Sequence, residues 1–324
     1  MVSGIFVAGG LALLFLGGDF LVRGAVSLAQ RLEIPTLVIG VTVIAFGTSL
    51  PELMVSVEAA LDGVPEIAIG NVVGSNIANI LLVLGLPAII APLHSDSGPI
   101  LRNTAIMIFA SLLMLLWAWN GVIEFHEGLI SLALLLAFLW TSYRMSRRDA
   151  MLAADYAEEL TQFAAPSHSP LLLTGFIVGG LAALLIGSEM LISGAVEIAT
   201  VLGVSDAVIG LTLVAFGTSL PELVTSLVAV ARKHGDVAIG NILGSNLFNI
   251  LGVMGITAML VPVPVSDRLL AVDFPVMIVV ALAILPFVVR WIDMSRIAGI
   301  VFLGAYIVYI WFQFSGYSGL GATP

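Results

Sequence analysis

The heptapeptide Gly47-Thr48-Ser49-Leu50-Pro51-Glu52-Leu53 returns letter for letter, 170 residues later, as Gly217-Thr218-Ser219-Leu220-Pro221-Glu222-Leu223. The same offset, without a gap, aligns Gly9-Gly10 with Gly179-Gly180, Asp19 with Glu189, Asn71 with Asn241, and Ser75-Asn76 with Ser245-Asn246. The chain is therefore two copies of one unit. Both copies of the heptapeptide lie in long apolar runs. With 60% hydrophobic and only 10% charged residues, and with apolar runs near 20 residues long, the sequence reads as an all-α integral membrane protein that buries its helices in a lipid bilayer.

Apolar runs between polar breaks predict ten transmembrane helices, at 3–30, 36–61, 66–91, 100–120, 124–144, 170–201, 206–231, 236–261, 270–290 and 296–315. Five fall in each half, giving a first repeat over 1–144, a linker over 145–169 and a second repeat over 170–324. The linker holds Arg147, Arg148, Asp149, Asp155, Glu158, Glu159 and Pro166, too polar to cross a membrane. No Lys or Arg precedes Arg23 and no cleavage site follows the first apolar run, so the first span is expected to be retained.

The basic residues orient the spans. Arg31, Arg102, Arg144, Arg147, Arg148, Arg232, Lys233, Arg290 and Arg296 fall in or beside the loops after the odd-numbered spans, against Arg268 alone on the other side. Positive-inside bias makes those loops cytoplasmic and places both termini outside. Because each unit has an odd number of spans, the second copy enters from the opposite side. Two inverted five-helix repeats yield two similar conformations, one open to each side, with a substrate site at the repeat interface near mid-membrane as alternating access requires; inverted duplication also builds stable bundles, as in some channels.

Glu52 and Glu222 fall near the middle of spans 2 and 7, where an uncompensated carboxylate costs at least about 2.5–3.5 kcal/mol. No Lys or Arg lies near mid-depth in either copy, so a bound cation or a proton is the remaining partner. Thr48 and Glu52 are four apart and share a helix face with Ser49 beside them; Thr218, Ser219 and Glu222 repeat the arrangement. Pro51 and Pro221 lack an N–H, which predicts that the carbonyls of Gly47 and Gly217 are left as free oxygen ligands. In spans 3 and 8, Gly70-Asn71-Val72-Val73-Gly74-Ser75-Asn76-Ile77-Ala78-Asn79 and its counterpart Gly240 to Asn249 carry glycines four apart for close helix approach, with Ser75 and Asn79, and Ser245 and Asn249, on shared faces.

All these candidate ligands are oxygens, suited to hard cations such as Ca²⁺ and Na⁺. Cysteine is absent, and His94, His126, His168 and His234 fall in loops or at span ends, which disfavours zinc, copper or iron. Two glutamates carry the charge that neutralises one divalent ion or a group of monovalent ones, so competition at one pocket is a natural basis for exchange. Asp19 has Arg23 one turn later and reads as an intrahelical ion pair; its counterpart Glu189 has Ser193 instead. Glu58 is matched by Val228 and reads as an interfacial residue outside the symmetric site. The net charge of −10 is mostly loop and end acids, a solvated surface.

Gly-Thr-Ser-Leu-Pro-Glu followed by Gly-Asn-x-x-Gly-Ser-Asn-x-x-Asn, present twice in halves of five helices, resembles the α-repeats of the sodium/calcium exchanger family within the cation/calcium antiporter superfamily. The resemblance spans nearly the whole chain and is strongest to the compact prokaryotic members, which lack the large regulatory loop of animal exchangers. It implies that Glu52 and Glu222 are the central ligands, assisted by Thr48, Ser49, Thr218, Ser219, Ser75 and Ser245, by backbone oxygens at Ala45 and Ala215, and by Asn79 and Asn249. It also implies that spans 1 and 6 rock across an eight-helix core. One departure matters: some relatives, including archaeal and potassium-dependent exchangers, carry Asp where this chain has Asn249, which argues against potassium co-transport.

The resulting expectation is a Na⁺/Ca²⁺ antiporter, with Ca²⁺ and Na⁺ as transported ions, no cofactor, no enzymatic activity, no nucleic-acid ligand and no obligate protein partner. The alternatives are a proton/calcium exchanger and a passive cation channel. The proton-coupled branch of the family usually shows Gly-Asn-x-x-Glu where this chain has Gly-Thr-Ser-Leu-Pro-Glu, which favours sodium. An intramembrane aspartyl protease fails on its residues: Leu16 stands where the Gly-x-Gly-Asp pattern needs glycine, and no second mid-membrane Asp can share a proton with Asp19.

Overall fold

A computed structural model describes residues 2–32, 34–93, 98–152, 169–201, 215–289 and 294–320. It is nearly all helical: α1 (Val2–Leu32), α2 (Thr36–Thr48), α3 (Leu50–Leu61), α4 (Pro65–Ile90), α5 (Gly98–Ala118), α6 (Phe125–Leu152), α7 (Pro170–Val201), α8 (Ala215–Thr218), α9 (Leu220–Ala231), α10 (Gly235–Leu260), α11 (Leu269–Val288) and α12 (Arg296–Leu320). Among the described residues eight helices are long and apolar enough to cross a membrane, and nine when α2 and α3, bent by 41° at their junction, count as one broken span. Of the span expected over 206–231, α8 and α9 are described, while 202–214 lie outside the described residues, as do most of the linker, His94 and His168. Helix α6 runs to Leu152, so the first part of the expected linker continues the helix.

The only strands among the described residues, β1 (Val122–Ile123) and β2 (Val263–Pro264), pair antiparallel and tie the α5–α6 loop to the α10–α11 loop. Two-residue strands carry no periodicity that a sequence pattern could reveal. A single bridge between Leu93 and Met294 ties two further loops together.

Small residues set the helix spacing. Gly10 and Gly17 of α1 and Gly180 and Gly187 of α7 stand seven residues apart on their helices, and each meets the facing backbone. A Cβ at Gly10 would lie 2.7 Å from the Gly187 carbonyl oxygen, and one at Gly17 would lie 2.8 Å from that of Gly180. Only glycine permits that approach. On α10 the expected close-packing role of Gly240 and Gly244 is met, since a Cβ there would lie 2.7 Å from Leu37 O and 2.5 Å from Val41 O. Helix α10 is thereby pressed against α2. The opposite faces of the peripheral helices are apolar and open, with Leu116 and Trp311 each 68% exposed, as lipid-facing surfaces are.

The turns from α3 to α4 and from α9 to α10 repeat one backbone motif. Val64 N–H reaches Ala59 O at 2.9 Å, and His234 N–H reaches Ala229 O at 2.8 Å, the long bond of a Schellman turn. The left-handed residue is Gly63 (φ +83°) in the first turn but Lys233 (φ +63°) in the second. A side chain in that region is strained by about 1–2 kcal/mol. Lys233→Gly is therefore expected to stabilise the protein by about 1 kcal/mol, and Gly63→Ala to destabilise it by a similar amount, read as opposite shifts of the melting temperature in detergent.

Candidate ion-binding site

Two prolines build the site. Helix α2 stops at Thr48, Ser49 leaves helical geometry (φ −84°, ψ 6°), and α3 starts again at Leu50 with Pro51 in its first turn. The second copy repeats this with Ser219 (φ −87°, ψ 5°) ahead of α9 and Pro221 in its first turn. The breaks place Glu52 and Glu222 in the first turns of α3 and α9, where the free N–H groups and the helix dipole favour a negative charge. Both glutamates are completely buried.

Each carboxylate is met by the serine of the other copy. The Ser219 hydroxyl donates to Glu52 Oε1 at 3.4 Å, and the Ser49 hydroxyl donates to Glu222 Oε1 at 3.2 Å. The Ser245 hydroxyl also donates to Glu222 Oε1, at 3.4 Å. The second oxygen of each glutamate has no hydrogen-bond partner, and no ion pair among the described residues reaches either side chain. The two carboxylates interact electrostatically with each other. Like charges held together in a low-dielectric interior need a cation, or protons, between them.

Of the remaining expected site residues, Thr48 lies beside the Ser245 hydroxyl that meets Glu222, and the others are characterised by their burial and their own bonds. Thr48, Ser75, Thr218 and Asn79 are buried, and Thr48 Oγ1 lies 3.5 Å from Ser245 Oγ. Ala45 O accepts the Ser49 N–H at 3.0 Å and lies 3.4 Å from Thr48 Oγ1. Ala215 opens α8. Asn79 and Asn249 are fully buried and sit in π-helical turns, Asn79–Leu84 and Phe248–Val253, where widened helices redirect side chains. Asn79 donates to Asn246 Oδ1 at 3.0 Å but its own Oδ1 is unpartnered, and neither amide atom of Asn249 has a partner. Orphaned buried oxygens of this kind call for a ligand.

One expectation is corrected. Pro221 does leave the Gly217 carbonyl without its helical donor, but the Ser188 hydroxyl of α7 takes that oxygen at 2.7 Å. This oxygen joins α7 to the broken helix instead of being left free. Ser188 is matched by Gly18 in the first copy, so sequence symmetry gave no warning of it.

Sequence reasoning found Asn71 and Asn241 only as motif letters, and their bonds define them. Asn71 Nδ2 donates to Glu52 O at 3.2 Å and to Ser56 Oγ at 3.0 Å; Asn241 Nδ2 donates to Glu222 O at 3.4 Å and to Ser226 Oγ at 3.2 Å. The signal available was the recurrence of Ser four residues after each glutamate. Asp19 pairs with Arg23 at 2.9 Å as expected, and also with Arg232 at the end of α9, a contact across the two copies. Beside it Gly18 packs α1 onto Val224 and Val228 of α9. In the first copy, Met54, the counterpart of Val224, is 66% exposed, and Glu189 and Glu58 are exposed.

An all-helical membrane protein with two buried carboxylates among hydroxyl and amide oxygens is a cation transporter rather than an enzyme. The family model for the sodium/calcium exchanger protein matches residues 2–144 and again 172–315. The chain is 39% identical over 97% of its length, and 99% of the relative's, to an Alkalimonas amylolytica protein with the provisional name antiporter CaxA. It is 31% identical to the sodium/calcium exchanger MaX1 of Methanosarcina acetivorans, covering 93% of this chain and 95% of that one. Its fold matches a solved structure of the sodium-calcium exchanger NCX_Mj with a TM-score of 0.82 at 33% identity, over 96% of this chain and 98% of the other. The chain belongs to the sodium/calcium exchanger family: it is a multi-pass membrane protein of the cation/Ca²⁺ antiporter class.

The Asp19–Arg232 contact yields a measurable outcome. Both side chains are partly exposed, so their pair is worth about 1 kcal/mol or less. Asp19→Asn and Arg232→Gln are each expected to lower thermal stability in detergent, and the double variant to lose less than the sum of the two. Strict additivity would show that the pair carries no coupling.

Proposed function

We propose that the protein is a Na⁺/Ca²⁺ antiporter in which ten spans form two inverted halves, 1–144 and 170–324, joined by a cytoplasmic linker at 145–169, with both termini outside a prokaryotic inner membrane. The reading is carried by one observation: Glu52 and Glu222, buried and without a cationic partner among the described residues, each receive a hydroxyl from the opposite copy of the motif. Ca²⁺ between them neutralises both charges. Its roughly six to eight oxygens are drawn from the two glutamates and from among Thr48, Ser49, Ser75, Thr218, Ser219, Ser245 and the carbonyls of Ala45 and Ala215, with the rest of the set available to Na⁺. Asn79 and Asn249 supply amide oxygens to the Na⁺ ions that replace it. A set of two carboxylates and many neutral oxygens is the donor chemistry that Ca²⁺ and Na⁺ accept.

Alternating access then moves α1 and α7 relative to the site. The packing of Gly18 on Val224 and Val228, with the exposure of Met54, supports a conformation closed at the Arg232 end of α9 and open at the Asp62 end of α3. By the placement of basic residues the open side is the outside. Sodium is favoured over the proton by the motif Gly-Thr-Ser-Leu-Pro-Glu in both copies, where the proton-coupled branch of the family usually has Gly-Asn-x-x-Glu.

One flux experiment separates the readings. In proteoliposomes, uptake of radioactive Ca²⁺ is expected to require an opposed Na⁺ gradient, to persist with a protonophore present and with K⁺ absent from both sides, and to fall at least tenfold in Glu52→Gln and in Glu222→Gln. Uptake driven by a pH gradient without Na⁺ would make the protein a proton/calcium exchanger. Flux independent of any opposed gradient would make it a channel, and an absolute K⁺ requirement would contradict the reading of Asn249.

A further inference from the structure

A hydroxyl has one hydrogen and two lone pairs, and it ligates a cation only through the lone pairs. Thr48 Oγ1 therefore serves the pocket only if its hydrogen goes elsewhere. Four acceptors are within reach: Asn241 Oδ1 at 3.2 Å, Ala45 O at 3.4 Å, Ser245 Oγ at 3.5 Å and the Glu222 carboxylate. The last three are oxygens of the pocket itself. A hydrogen given to Ala45 O would point into the site and occupy a carbonyl that the ion needs. A hydrogen given to Asn241 leaves Thr48 Oγ1, Ala45 O and Ser245 Oγ all facing the ion as acceptors.

Asn241 can take that hydrogen only if its amide is held one way round, and the structure holds it. Its Nδ2 faces Glu222 O at 3.4 Å, an atom that only accepts, and Ser226 Oγ at 3.2 Å. A flipped amide would set Oδ1 against a carbonyl oxygen and offer Thr48 a donor. Asn241, Thr48, Glu222 and Ser226 are all completely buried, so no solvent competes for these bonds. Asn241 also joins α10 to both broken helices at once, to α2 through Thr48 and to α9 through Glu222 and Ser226.

We propose that Asn241 is a positioning residue for Ca²⁺ binding: it draws the Thr48 hydroxyl hydrogen out of the pocket and so directs the Thr48 and Ala45 oxygens at the ion without touching it. The proposal rests on the pocket assigned above. Asn71, with its matching bonds to Glu52 O and Ser56, is its counterpart in the first copy.

The test is a double-variant cycle read as equilibrium Ca²⁺ binding to purified protein in detergent, with no ion gradient. Asn241→Ala is expected to weaken Ca²⁺ binding about tenfold, the effect of losing one organising hydrogen bond. In a Thr48→Val background, where there is no hydroxyl to orient, the same substitution is expected to change Ca²⁺ affinity less than twofold. Equal losses in both backgrounds, or no loss in either, would overturn the proposal, because a residue that merely held α10 in place would act whether or not Thr48 carries a hydroxyl. If Asn241→Ala does not fold, Ser226→Ala reads the same cycle. It removes one of the two anchors of the amide and is expected to weaken binding about threefold, again only when Thr48 is present. Failure of sodium coupling leaves this cycle readable, since no gradient enters it. Unchanged Ca²⁺ binding in Glu52→Gln and Glu222→Gln would instead remove the pocket reading on which it rests.

Discussion

Everything else in this molecule is arranged around two carboxylates held together inside a membrane protein. Glu52 and Glu222 are fully buried, interact with each other, and each keep one oxygen without a hydrogen bond. Such a pair is stable only with positive charge between the two, and the structure supplies what can be fixed in advance. Helix breaks at Pro51 and Pro221 aim two helix N-termini at the glutamates, and Ser49 and Ser219 exchange hydroxyls across the two copies. These groups lower the cost of burying the charge without neutralising it. On the proposed function, the pair's charge attracts a cation while the mostly neutral oxygens around it keep the ion exchangeable.

The scaffold keeps that arrangement narrow. Glycines at contact points remove the side chains that would push helices apart: Gly240 and Gly244 bring α10 against α2, and Gly10, Gly17, Gly180 and Gly187 bring α1 against α7. The asparagines of α4 and α10 then work across short distances, each gripping the main-chain carbonyl of a site glutamate and a serine one turn further on. Gly240 and Gly244 stand on either side of Asn241, so the close approach of α10 to α2 brings its amide within reach of Thr48.

Much of this was legible in the sequence because it rests on local rules. Exact repetition revealed the two copies, apolar run lengths located most described helix ends to within a few residues, with α6 and α12 running further, and a proline ahead of each glutamate marked the breaks. What was illegible depends on three-dimensional partners. The π-helical turns at Asn79 and Asn249 follow from tertiary packing and have no composition of their own. The capture of Gly217 O by Ser188, and the second partner of Asp19 in Arg232, join residues with no mutual spacing signal and no equivalent in the first copy. The two glutamates and the serines of their motifs were therefore readable, while the bonds that join them to the opposite copy were not.

The account stands on one shared ion, and its position can be measured directly. In crystals of the protein grown with Ca²⁺, anomalous diffraction is expected to show one principal Ca²⁺ peak between α3 and α9, with carboxylate oxygens from both Glu52 and Glu222 at about 2.3–2.6 Å. A Ca²⁺ peak held by only one of the two glutamates, or bound elsewhere while both remain without an ion, would contradict it.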